Sequence, residues 1–139
     1  MILHLVARGK IGRSPEAELV ERYLKRIAWP TKVSELGERT AMPAAPPASV
    51  TVLLDEKGKA LSSMELAKKL EKWRDGGTRE ARFVIGAADG HSAEERTDAD
   101  LLLSFGPATW PHLLVRAMLA EQLFRATSIL ANHPYHREG

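Results

Sequence analysis

Four short apolar runs punctuate the chain, at residues 2–7 (ILHLVA), 50–54 (VTVLL), 82–86 (RFVIG) and 101–105 (LLLSF). Each is bounded by charged or glycine-containing sequence and is too short for a helix buried on one stripe, which predicts buried strands. Residues 31–36, TKVSEL, alternate polar with apolar and predict a half-exposed fifth strand. Elsewhere the period becomes helical. Ser14-Pro15-Glu16 supplies a capping hydroxyl, a proline at the first position and an acid in the first turn. Leu19, Val20, Tyr23, Leu24 and Ile27 then fall on one face and predict a helix over 15–28. Ser62 and Glu65 have capping-box spacing, and the helix they open runs to Arg74 with Leu66, Leu70 and Trp73 together before Gly76-Gly77 stops it. Ser92 and Glu95 repeat the box ahead of a short helix. The last helix, from His112 to Ile129, is apolar nearly all round. Such a helix is buried on more than one side, and in a small chain the second side predicts a subunit interface.

The resulting order, β-α-β-β-α-β-α-β-α with continuous apolar strands, predicts an α/β fold with a mainly parallel sheet and helices on both faces. At 139 residues it is read as one domain, 1–139. The Pro/Ala-rich stretch 40–49 is a loop inside that domain, because too little chain precedes it to fold alone. Ligands of such sheets sit beyond the carboxyl ends of the strands. Three loops compete for that place: the exit after Leu54 (Asp55 to Lys59), the glycine-bounded turn 86–90, and 106–111. None carries a GxGxxG fingerprint, so a dinucleotide fold is not supported. Their small and rigid residues suit either backbone contacts around a flat ring or plain tight strand exits.

Composition narrows the chemistry. The chain has no cysteine, which excludes disulfides, thiolate metal sites and a cysteine nucleophile. Its first residues lack the layout of a signal peptide, and no apolar run approaches membrane-spanning length, so a cytoplasmic location without membrane contact is expected. The net charge of +2 does not mark a strong polyanion trap, which leaves local clusters to matter. Arg22, Lys25 and Arg26 on the first helix are a solvated face or a phosphate contact, and the loop RGKIGRS invites the same two readings. Arg116 and Arg125 on the last helix are phosphate contacts or structural ion pairs, the latter with Glu121 four residues ahead of Arg125. Three of the five histidines, His112, His133 and His136, lie in the last third. The tail Asn132-His133-Pro134-Tyr135-His136-Arg137 is either a frayed terminus or a group suited to stacking on RNA and gripping phosphate. Apart from Glu138 it holds no partner at ligand spacing, so no metal is expected.

The glycine turn at 86–90, the strand exit LLDEKGK and the segment TWPHLLVRAMLAEQLFRATSILANHPYHRE together resemble the ribosomal RNA large-subunit methyltransferase H family of the SPOUT superfamily. The resemblance implies a deep trefoil knot near the C-terminus and a homodimer. It also implies transfer of a methyl group from S-adenosylmethionine to N3 of a pseudouridine in a 23S rRNA stem-loop within the assembled ribosome, with no metal. By motif, the cofactor contacts would be Leu54, Gly86, Ala87, Gly106, Pro107, Ala108, Thr109, Trp110 and Pro111. Arg116, Arg125, Tyr135, His136 and Arg137 would face the RNA, with His136 and Arg137 nearest the reacting base and the tail completing the partner's site. His112 would be structural. The turn reads Gly86-Ala87-Ala88-Asp89-Gly90 where the family usually has Gly-Gly-Pro-Glu-Gly, which puts cofactor affinity in question if Ala87 needs a positive φ. The stretch 37–49 is also shorter than usual. A SPOUT enzyme acting on another RNA, and a dimeric RNA-binding module that has lost catalysis, are the alternatives.

Overall fold

A computed structural model of the chain describes residues 1–87 and 89–137. Ala88 of the glycine turn and Glu138 of the tail lie outside the described residues. The strands are β1 (Ile2–Arg8), β2 (Thr31–Leu36), β3 (Ser49–Ala60), β4 (Glu80–Ile85) and β5 (Leu101–Ser104). The helices are α1 (Pro15–Arg26), α2 (Ser63–Asp75), α3 (Ala93–Asp98) and α4 (His112–Leu130). The strands form one sheet in the order β2-β1-β4-β3-β5, and every pairing is parallel. An all-parallel sheet needs cover on both faces, and this one gets it unequally. Leu3, Leu5, Val52, Phe83 and Leu103 point to the face covered by the long helices, where they pack with Leu66 and Leu70 of α2 and Leu119, Leu123 and Phe124 of α4. Val6, Leu53 and Val84 point the other way, toward Leu36, Met42 and Ala99, so that face is covered by short α3 and the Pro/Ala-rich loop.

Helix starts follow the capping chemistry read from the sequence. The Ser14 side chain accepts from the Ala17 N–H, and Ser62 with Glu65 and Ser92 with Glu95 form complete capping boxes. Deleting such a cap typically costs about 1 kcal/mol. α4 lies on the sheet side through Leu119 and Leu123, while Ala117 and Ala120 on its other side pack against Val20 of α1. Much of the second apolar side expected to meet another subunit is thus met within the chain. Leu113, Leu114 and Met118 stay half-buried and outside the core clusters.

β3 is longer than the apolar pattern predicts. Its ladder with β5 runs Val52–Leu54 against Leu101–Leu103, shifts register, and resumes with Lys59 beside Leu103. Residues 55–58 therefore loop out, and the polar stretch read as an exit loop is a bulge inside one strand. Gly58 is required there: a Cβ would stand 2.6 Å from the Leu102 carbonyl carbon. On the helix-poor face, buried His4 lies between Ser34 Oγ at 2.7 Å and Glu80 Oε2 at 3.2 Å. Arg82 donates there to the Pro43 carbonyl at 2.7 Å, which fastens the Pro/Ala-rich loop to the sheet.

Candidate active site

The carboxyl ends of β3, β4 and β5 converge on a cavity of about 290 Å³. Its walls include Leu54, Gly86, Ala87, Gly106, Ala108, Thr109 and Trp110. The three loops singled out from the sequence thus share one cavity, although Pro107 and Pro111 do not line it. Pro111 instead caps α4 without a side-chain bond, leaving the helix N-terminus facing this region. The apolar wall comes from Leu54, Ile85, Leu103 and Val115.

Local geometry explains each loop. Gly106 has φ +106°, a conformation that disfavours any side chain, and its N–H donates to Ser104 Oγ at 3.0 Å. The Ser104 hydroxyl lies 3.1 Å from the Glu56 carbonyl oxygen, and Thr109 Oγ1 donates to Glu56 Oε2 at 2.7 Å. The 106–111 loop is therefore tied to the β3 bulge. In the glycine turn the Gly90 N–H donates to the Ala87 carbonyl at 2.9 Å, and Gly90 takes φ +81°. Among the described residues, only Ala48 and Asn132 are non-glycines with positive φ. Ala87 thus sits in an ordinary backbone region, and its methyl group imposes no strain.

Polar groups to which the sequence reading gave no part in ligand contact also reach this cavity. They include Asp55, Glu56, His91, Arg96 and His112. His112, expected to be structural, is an exposed cavity residue at the first position of α4. Arg96 stands 3.0 Å from Asp55 Oδ2, and the Asp55 side chain is almost fully buried. The Nε2 of His91 lies 2.8 Å from the Leu54 carbonyl oxygen. Burial raises the Glu95 carboxyl, but the Ser92 N–H and hydroxyl, with His91 and Arg8, bring it below the usual range. The signal for His91 was its place immediately after the turn, ahead of a capping serine. For Asp55 and Glu56 it was their place in the strand exit.

The cationic and tail residues lie elsewhere. Arg116 is 1% exposed, pairs with Glu35 on β2 and donates to the Gly9 carbonyl at 3.3 Å. The Arg116 guanidinium is the main reason the Glu35 carboxyl sits below its ordinary range. Arg125 donates to Glu121 at 2.7 Å, with its second nitrogen 3.2 Å from His136 Nδ1. Both arginines are therefore engaged in structural pairs within the chain. The Tyr135 ring stands 4.5 Å from the Phe124 ring and 4.7 Å from the Arg125 guanidinium. Burial, then Tyr23 and Glu121, hold the Tyr135 hydroxyl above its usual value, so it is a neutral donor near pH 7. Arg137 is exposed. Neither His136 nor Arg137 lines the cavity. The tail folds back over Phe124 and Arg125 in the second half of α4, and the ten residues of helix from Val115 of the cavity to Arg125 span about 15 Å. Among the described residues no cluster suited to a metal ion occurs, and no helix is long and apolar enough to cross a membrane.

A parallel α/β sheet with a cavity across the carboxyl ends of three strands is the arrangement in which proteins of this class take small ligands. The family model described as "Predicted SPOUT methyltransferase" matches residues 1–136, and the chain belongs to that family. Over the full length of both chains it is 67% identical to a protein of Erythrobacter litoralis and 64% identical to one of Rhizorhabdus wittichii. Both carry the name ribosomal RNA large subunit methyltransferase H, as does a Maricaulis maris relative at 46% identity over 99% of this chain and all of its own. A probable methylase family protein from Haemophilus influenzae has the same fold, with a TM-score of 0.64 over 98% of this chain and 70% of its own, at 12% identity.

Proposed function

We propose that the chain is a ribosomal RNA methyltransferase that moves a methyl group from S-adenosylmethionine to N3 of a pseudouridine in a 23S rRNA stem-loop. It works in the cytoplasm as a homodimer on the assembled ribosome, and no metal takes part. The observation that carries this reading is the shared cavity of the three loops, in a chain whose full-length relatives bear an rRNA methyltransferase name.

The lining suits the donor. Leu54, Ile85, Leu103 and Val115 offer apolar cover for an adenine ring, while glycines 86 and 106 let backbone groups approach its edge. Glu56 supplies negative charge for a cationic ligand, while Asp55 is paired with Arg96. When bound, S-adenosylmethionine supplies an activated methyl group. The protein's part is to align the acceptor and favour loss of the N3 proton, since an imide N–H is a poor nucleophile until that proton leaves. His136 and Arg137 are the groups assigned to the base, the arginine favouring its anion.

Within one chain the tail packs on the second half of α4 and lines no part of the cavity, so in this reading the partner's tail completes the site. Leu114 and Met118, four residues apart, and exposed Trp110 just ahead of the helix give α4 an apolar stripe for that partner. The knot implied by the resemblance belongs to the same proposal. The ordinary backbone of Ala87 favours the enzyme over a module that has lost catalysis. Calorimetric titration with S-adenosylmethionine, followed by methylation of 70S ribosomes lacking the modification, tests the reading. A stoichiometric donor complex and one methyl per ribosome on the pseudouridine are expected. A folded dimer that ignores the donor, or methylation of a different RNA, would overturn it.

A further inference from the structure

Sheet pairing holds the β3 exit only as far as Leu54, which lies beside Ile85 in the ladder with β4. The ladder between β3 and β5 breaks after Leu54 and resumes only at Lys59, so no continuous strand pairing fixes the loop that begins there. Yet Leu54, Asp55 and Glu56 form one wall of the cavity, and Gly86 and Ala87 form the next. His91 bridges the two. Its Nε2 is 2.8 Å from the Leu54 carbonyl oxygen, in a part-buried setting. A carbonyl only accepts, so the ring proton resides on Nε2. The same ring packs over Gly86: a Cβ added there would stand 3.1 Å from the His91 Cε1 and 3.2 Å from its Nδ1. The histidine thus holds the end of β3 with its donor and meets the end of β4 through the Cε1 and Nδ1 atoms of its ring.

The bridge is itself anchored. His91 directly precedes Ser92, whose capping box with Glu95 fixes the start of α3. Glu95 in turn stands 3.7 Å from Arg8 at the end of β1. Farther along the exit, Arg96 pairs with the buried Asp55 side chain at 3.0 Å, and Ser104 and Thr109 bond to Glu56, but of these groups His91 is the one that also meets Gly86.

We propose that His91 is a positioning residue of the cofactor site, setting the spacing between the Leu54 exit and the Gly86 turn so that the donor's ring fits between them. The proposal rests on the reading of this cavity as the S-adenosylmethionine site. It is tested with the full-length protein by titrating S-adenosylmethionine into wild type and the variants His91→Ala, His91→Phe and His91→Gln, with steady-state kinetics on ribosomes. Loss of a part-buried positioning hydrogen bond predicts donor binding about tenfold weaker in His91→Ala, seen in both Kd and the donor KM, with kcat changed less than about twofold. His91→Phe keeps a ring without the donor and stays weak. His91→Gln places an amide N–H near the Nε2 position and recovers most of the affinity. A merely structural role would lower the melting temperature of all three alike and would not separate Gln from Phe. Wild-type affinity in His91→Ala, or in His91→Phe, overturns the proposal, as does a Gln variant no better than Phe. A wild-type protein that binds no donor instead overturns the cofactor reading itself, a distinguishable result.

Discussion

The two ends of α4 are built on opposite plans. At its start no side chain caps the helix, His112 is exposed, and Val115 forms part of a cavity made largely from three loops and the strand ends beneath them. At its end the backbone closes on itself. The Ala131 and His133 N–H groups return to the carbonyls of Thr127 and Ser128 at 3.1 and 2.9 Å, and Asn132 takes the left-handed conformation, φ 57°, that ends helices. The tail then folds over Phe124 and Arg125 and presents aromatic and charged side chains. One end is a receptacle with few functional side chains. The other is a cluster of aromatic, histidine and arginine side chains with no cavity of its own. In the proposed enzyme the two meet across a dimer, the tail of one chain at the cavity of the other.

The largest effect should come from loosening α4 itself. Arg116 is buried one turn into α4, and Glu35 is its only anionic partner among the described residues. Glu35→Ala strands a buried guanidinium and should cost about 3 kcal/mol in urea unfolding. The same pair predicts acid sensitivity. Because Glu35 is held below its ordinary value in the folded chain, its contribution is present above the unfolded-state value. That contribution is lost as pH falls through the folded-state value, and Glu35→Gln should flatten that part of the stability profile. The comparison is sharpened next by damaging one end at a time. His136→Ala combined with Arg137→Ala should lower the single-turnover methylation rate about 100-fold with donor affinity held, as measured by rapid quench and calorimetry. Gly106→Ala should do the reverse. A side chain at φ +106° strains the loop, and donor binding should weaken about tenfold with little loss of turnover at saturation. The smallest effect belongs to Glu121→Gln, which removes a partly exposed partner of Arg125 and should change stability by less than about 1 kcal/mol in thermal unfolding.

The pattern of the sequence revealed most of the fold because four of the five strands carry short apolar runs and three of the four helix starts carry their own cap. It missed the second half of β3. Residues 55–60, DEKGKA, are charged, and only the return of Lys59 to Leu103 makes them strand. Periodicity does not see a partner that depends on a bulge. The loops of the cavity were legible because glycine and proline mark strand exits. His91 was not, since a lone histidine in a loop looks like any other until its ring is found over Gly86. The arginines of α4 show the opposite problem: charge is visible in sequence, but its partner is not. Arg116 meets Glu35 from a strand 81 residues away, and no spacing rule finds such a pair.

The central claim, that one chain's tail serves its partner's cavity, is tested most directly by mixing two inactive variants. Gly86→Val fills the cavity beside the His91 ring and leaves the tail intact. Arg137→Ala spares the cavity and damages the tail. Refolded together in equal amounts, half of the dimers are mixed, and each mixed dimer holds one intact composite site. The account predicts recovery to about a quarter of wild-type methylation on 70S ribosomes. A mixture as inactive as its two parents would place cavity and tail in the same chain's site and contradict it.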